Sequence, residues 1–127
     1  MLFPASLIRI SDNSGGKFLK IIRIVHKGSY GKKGVIGDIC LGSIKQLRNR
    51  NRLLAKVRKG DLVYAVIIKT KKTLIRSNGL TVYFSYNAAV LLTKQNIPIG
   101  SRIFTGIPLE LRSKKFAKVI SLATGFI

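Results

Sequence analysis

Leu62-Val63-Tyr64-Ala65-Val66-Ile67-Ile68-Lys69-Thr70 decides the fold. Leu62 to Ile68 is the longest uninterrupted apolar stretch in the chain, far short of the ~18 residues that a membrane-spanning helix needs. Its β-branched and aromatic residues are those of a strand. Gly60-Asp61 supplies a turn signal in front of it, and Lys71-Lys72 follows. The same texture repeats on both sides. Ser6 to Ile10 alternates, Phe18 to His26 is an Ile/Val-rich run with Lys20 and Arg23 interspersed, and Ile39 to Lys45 starts a further strand. Leu80 to Ser85 and Ala88 to Thr93 follow, and turn residues separate the runs at Asn13-Ser14-Gly15-Gly16, Gly28, Gly31, Gly34, Gly37-Asp38 and Asn78-Gly79. Short strands spaced this evenly, with no long helix between them, predict a mainly β chain folded as a small closed antiparallel barrel. Closure also removes exposed strand edges.

The last third changes character. Pro108 suits the first turn of a helix, and Phe116, Val119, Ile120 and Ala123 fall on one helical face while Lys114, Lys115 and Lys118 occupy others. The reading is one domain over residues 1–127, with a barrel over about 1–105 and one or two short helices within about 106–127.

Charge then narrows the function. The chain carries 24 Lys and Arg against four acids, a formal charge of +20, yet it is 46% hydrophobic and has a mean hydropathy of +0.23. A disordered basic tail would lack the apolar residues. Spread over a sphere of roughly 18 Å radius, that charge has a self-energy on the order of 45 kcal/mol in water, of which about a third survives physiological salt. Net stabilities are only about 5 to 15 kcal/mol, so even the part that opposes folding matters. A permanently bound polyanion cancels it, which points to a chain that lives on nucleic acid.

Catalysis finds no foothold. The one cysteine, Cys40, excludes an internal disulfide and a cysteine-based metal site, and reads as a small buried hydrophobe. The one histidine, His26, has no acid or serine beside it and reads as the end of a strand. Asp12, Asp38 and Asp61 lie at glycine-marked turns, where Asx-type hydrogen bonds or pairing with basic neighbours account for them, and Glu110 suits the first turn of a helix. The glycines at 28, 31 and 34 lack the context of a phosphate-binding loop. No enzyme activity, cofactor or metal is expected. Met1 to Ile10 runs straight into the first strand, with neither a signal peptide nor an Arg-rich presequence visible.

The cations cluster. Lys27, Lys32 and Lys33 crowd one glycine-rich loop, and Arg48, Arg50, Arg52, Lys56, Arg58 and Lys59 crowd the next connection. Lys69, Lys71, Lys72 and Arg76 end a strand and fill a hairpin, and Arg112, Lys114, Lys115 and Lys118 mark the C-terminal helices. Together with Lys17 and Lys45, the first three groups are expected to contact phosphates, because loop tips on a rigid barrel reach into RNA grooves. About ten such contacts would give a log-log salt slope near −7 to −9. Most aromatics read as core, with Tyr30 and Tyr86 the candidates for stacking.

Several collinear blocks carry a more specific likeness. Asp12-Asn13-Ser14-Gly15, Gly34-Val35-Ile36-Gly37-Asp38-Ile39, Val57-Arg58-Lys59-Gly60-Asp61 and Ala65 to Lys72 occur in one order, followed by Asn87 to Leu92, Pro98 to Phe104, Glu110 through Phe116, and Ser121-Leu122-Ala123. In these blocks, over nearly its whole length, the chain resembles the ribosomal protein L-fourteen family of the large subunit. The resemblance implies a five-stranded barrel with a projecting β-ribbon and small C-terminal helices. It also implies a non-catalytic role: binding large-subunit rRNA, abutting neighbouring ribosomal proteins, meeting small-subunit rRNA in an intersubunit bridge, and offering a docking surface to a silencing or anti-association factor. By position it assigns Ser101, Arg102, Arg112, Lys114, Lys115 and Lys118 to the subunit interface or factor docking, and Lys69 to Arg76 to the ribbon.

The chain departs from that pattern in places. The connection from Asp38 to Gly60 is longer than in bacterial members, with the surplus around Arg48 to Arg52; Thr105 to Leu109 and Ser85-Tyr86 also differ. This drift, with its surplus of cations, reads as organellar. The expected location is the mitochondrial ribosome, with the bacterial cytoplasm or a plastid as the alternative. No membrane partner and no homo-oligomer are expected. The alternative function from another class is a free-standing small barrel that binds single-stranded nucleic acid.

Overall fold

The computed structural model describes residues 2–25, 33–48, 55–114 and 116–127. It contains β1 (Leu7–Ile10), β2 (Gly16–Ile24), β3 (Ile39–Leu47), β4 (Leu62–Lys69), β5 (Leu74–Ile75), β6 (Thr81–Val82) and β7 (Ala88–Leu92), then a 3-10 helix at Leu109–Lys114 and α1 (Ala117–Leu122). Five strands close a barrel in the order β1-β2-β3-β4-β7, and β5 pairs with β6 as a separate ribbon. The mainly β barrel, its ribbon and the short C-terminal helix match the sequence expectation.

The closing seam departs from the all-antiparallel reading. β1 and β7 run parallel, with Arg9 opposite Ala88 and Ile10 opposite Ala89, while the other four pairs are antiparallel. An odd number of strands cannot alternate in direction all the way round a closed ring. One parallel seam is therefore obligatory.

Two cores share β4 and β7 as their common wall. Inside the barrel, Ala65 and Ile67 of β4 and Ala89 and Leu91 of β7 pack with Ile8, Ile10, Leu19, Ile21, Cys40 and Ile44. On the outer side, Val66 and Ile68 of β4 and Ala88, Val90 and Leu92 of β7 pack with Ile103, Ile107, Leu111, Phe116 and Val119. Burial on both faces is why these two strands read as continuous apolar runs rather than alternating ones. Each fully buried aliphatic side chain contributes about 1.5 to 3 kcal/mol.

β1, β2 and β3 have only one buried face. Along β2 the inward residues are Gly16, Leu19, Ile21 and Ile24, with exposed Lys17, Lys20, Ile22 and Arg23 between them. Register shifts lie between Gly16 and Phe18, Phe18 and Leu19, and Ile21 and Arg23. An extra residue at a bulge breaks strict alternation, so Ile22 and Arg23 both face outward.

One turn design starts both β3 and β4. The amide of Asp38 donates to the carbonyl of Val35 at 3.0 Å, and the Asp38 carboxylate accepts from the amide of Val35 at 2.9 Å. Asp61 and Arg58 repeat this at 3.1 and 2.8 Å. Gly37 and Gly60, just before the aspartates, have φ of 91° and 90°, a region in which a Cβ is strained.

After β7 the chain crosses the outer face of β4 and β7. Ile107 donates to Gly125 at 3.0 Å and accepts from Ile127 at 2.9 Å, holding this segment together as a two-sided strap. Pro108 does begin a helical segment, but of 3-10 type: Leu111 donates to Pro108. Short pieces of this kind suit a connector tied at both ends. Phe116, at the N-cap of α1, and Val119 within it pack into the outer core, as their spacing predicts.

Candidate nucleic-acid interface

The exposed outer wall of β1 to β3 bears Arg9, Lys17, Lys20, Arg23 and Lys45. Lys17 and Lys45 belong to the expected set, and Arg9, Lys20 and Arg23 are further exposed cations on the same wall. Their signal was present in the polar positions of the first two strands.

Other expected residues fall into distinct settings. Lys33, Lys56, Arg58, Lys59, Lys71 and Lys72 lie exposed in connections, and Lys56 Nζ donates to the carbonyl of Ile99 at 3.2 Å. Lys69 turns inward instead: it is 7% exposed, donates from Nζ to Tyr86 Oη at 3.2 Å, and lies 5.5 and 5.0 Å from the ring centres of Phe84 and Tyr86. Arg76 is half-buried and grips Glu110, with Nε to Oε1 at 2.6 Å and a second bond to Oε2 at 3.3 Å. It also donates to the Ile127 oxygen. This fork joins the ribbon to the C-terminal segment. Lys27, Tyr30, Lys32, Arg50, Arg52, Lys115, His26 and the side chain of Lys114 lie outside the described residues.

The block from Asp12 to Gly15 is a joint between barrel and surface loop. Asp12, 1% exposed, accepts from the Ser14 amide at 3.2 Å, from Ser14 Oγ at 2.5 Å and from the Leu91 amide at 3.1 Å. Burial pushes its carboxyl above the ordinary carboxylate value, outweighing these bonds and the charge of Arg48. Asn13 reaches the other way. Its Oδ1 accepts from the amides of Ser101 and Arg102 at 2.7 and 3.0 Å, and its Nδ2 donates to Ser101 Oγ at 2.8 Å. Ser101 and Arg102 are thereby held exposed at the end of the barrel where Lys56 is tied to Ile99. Arg112 stacks on Phe126, 4.2 Å from its ring centre, and Lys118 is exposed on α1.

The four acids are all engaged. Asp12 is buried, Asp38 and Asp61 close their turns, and Glu110 accepts from Arg76. Desolvation pushes the Glu110 carboxyl up, but the hydrogen bond and charge of Arg76, with a backbone bond, outweigh it and hold it below the usual range. Cys40 is wholly buried, and burial pushes its thiol up to about 12. Its surroundings are those of a core residue.

The surface thus combines a cationic outer wall and basic connections with acids held in turns, in the core and in a pair. The chain matches the family model described as ribosomal protein L14p/L23e over residues 1–127, its full length. It belongs to that family and is a structural protein of the large ribosomal subunit.

Proposed function

We propose that the chain binds large-subunit rRNA through the outer wall of β1 to β3 and its flanking connections. Lys17, Lys33, Lys45, Arg48, Lys56, Arg58, Lys59, Lys71 and Lys72 act as phosphate contacts, joined by Arg9, Lys20 and Arg23. Lys27, Lys32, Arg50 and Arg52 belong to the same set by sequence. Lys69 and Arg76 contribute indirectly, by fixing the strand end and the ribbon. One observation carries this reading: the carboxylates close turns, lie buried or pair with Arg76, while the strand-face cations point outward.

The end of the molecule bearing Ser101 and Arg102, with Arg112 and Lys118, supplies the subunit interface. There the chain meets small-subunit rRNA in an intersubunit bridge, and a silencing or anti-association factor docks on the same side. Neighbouring large-subunit proteins abut the barrel. The high cation content supports a mitochondrial ribosome as its location.

Salt dependence tests the RNA reading. With about ten phosphate contacts, binding of the purified chain to its rRNA segment falls with a log-log slope near −7 to −9. A slope shallower than about −3, or absence from the large-subunit peak in a gradient at moderate salt, refutes it. Cell fractionation tests the location, since recovery with cytosolic ribosomes alone contradicts the mitochondrial reading.

A further inference from the structure

A cleft of about 300 Å³ opens where the barrel closes, lined by Arg9, Ile10, Ser11, Arg48, Tyr86, Phe104 and Thr105. Two cation-on-ring pairs stand at it. The Arg9 guanidinium lies 5.0 Å from the ring centre of Tyr86, and that of Arg48 lies 4.9 Å from the ring centre of Phe104. Arg48 is also anchored, donating from a terminal nitrogen to the carbonyl of Ile10 at 3.1 Å. Lys69 places a further charge 5.0 Å from the Tyr86 ring centre. Three cations therefore gather on two rings, and no carboxylate is among the described residues that line the cleft. The charge of Arg48 acts on Asp12, but that carboxyl is buried and its oxygens serve Ser14 and Leu91.

Thr105 adds an independent sign. Its Oγ1 is buried without a hydrogen-bond partner among the described residues, whereas such groups are nearly always satisfied. A ligand edge reaching into the cleft would answer it. Positive charge calls for an anion, the rings call for a flat apolar face, and the hydroxyl calls for a hydrogen-bonding edge. A nucleotide offers all three. The volume is at the lower end of the roughly 300 to 1,000 Å³ that small-ligand sites occupy, enough for one nucleotide and too small for a duplex.

We propose that this cleft takes one unpaired nucleotide of RNA, its base against the arginine-aromatic pairs, its phosphate held by Arg9 and Arg48, and a polar edge meeting Thr105. The proposal rests on the RNA-binding reading and adds a site specific for an extruded base. Unpaired bases are what proteins stack on aromatic rings and guanidinium planes.

The test uses the full chain and two RNA hairpins of equal length, one with a single-nucleotide bulge and one fully paired, with affinities measured at one salt concentration. The bulged hairpin is expected to bind about fivefold to a hundredfold tighter. Arg48→Lys, which keeps the charge and loses the planar stack, brings the ratio close to one; Thr105→Val lowers it by about threefold. Thr105→Val leaves the urea midpoint unchanged or raises it, because the hydroxyl it removes has no partner. Equal binding of both hairpins with a steep salt slope overturns the cleft while sparing the RNA reading; no binding of either overturns both. A bulge preference that survives both variants, or crosslinks from Tyr86 to protein rather than RNA in intact subunits, also overturns it.

Discussion

Removing the carboxylate of Asp12 tests whether the joint between β1 and β7 governs the stability of the barrel. Asp12→Ala deletes the acceptor of two backbone amides, Ser14 and Leu91, and of the Ser14 hydroxyl. Leu91 and Ser14 are both 0% exposed, so water cannot replace the lost partner without opening the seam. An orphaned buried donor costs about 1 to 3 kcal/mol. The Ser14 hydroxyl can rotate, and removing a buried charge returns some desolvation free energy, so the net loss is expected near 3 kcal/mol rather than the full sum. That is a substantial part of a typical 5 to 15 kcal/mol. It corresponds to a drop in Tm of about 10 °C.

The pH dependence makes this prediction sharper. Because burial raises the Asp12 pKa in the folded state, its contribution is fully present below the unfolded value near 3.8 and declines as pH rises through the folded value. Urea titrations of wild type and Asp12→Ala, at high salt to screen the other charges, should show a stability gap that is larger near pH 4 than near pH 7. A gap that widens toward pH 7 would mean that hydrogen bonding outweighs desolvation at this site. A loss below about 1 kcal/mol at either pH would refute the structural role assigned to the seam.

Three further outcomes follow from other contacts. Asn13→Ala should leave the Tm within about 3 °C but raise amide exchange at Ser101 and Arg102, because their common acceptor is gone; unchanged exchange contradicts the joint. Glu110→Gln should lower stability by less than about 1 kcal/mol, fully so above the ordinary Glu value near 4.5 and vanishing as pH falls through the lowered folded value; a larger effect in acid than at pH 7 would invert that sign. Cys40, with its thiol pushed up to about 12, should resist alkylation at pH 8 in the native chain and react once urea unfolds it, so rapid native labelling would place it outside the core.

The strands were legible because their apolar runs and glycine-marked turns are local signals. β4 and β7 could be recognised as strands, whereas their role as a wall between two cores depends on where residues 103–127 pack. Lys69 illustrates the limit. A lysine at the end of an apolar run reads as the charged stop of a strand, and only the fold brings Phe84 and Tyr86 around it. Arg9 and Arg48 are similar, since their ring partners arrive from after β6 and after β7. The turn residues Asp12 and Asn13 were recognisable as such, but their long-range partners Leu91, Ser101 and Arg102 were not. Arg23 escaped a strict period-two reading because bulges in β2 shift which positions face water.

The arrangement of the cores explains how a chain of +20 can hold a barrel before any polyanion arrives. Apolar residues are concentrated where β4 and β7 are covered on both sides, and Lys17, Lys20, Arg23 and Lys45 of β2 and β3 stand on the opposite wall, facing water. Two such charges 10 Å apart in water repel by only about 0.4 kcal/mol, and salt reduces this further. The same pair inside the protein would cost several times more. Repulsion is thus kept in the solvent, where counterions screen it without disturbing either core. The seam between β1 and β7 is different, because Arg9, Arg48 and Lys69 crowd aromatic rings there rather than standing apart in water. If RNA binds as proposed, phosphates held by Arg9 and Arg48 act directly on the residues that close the barrel.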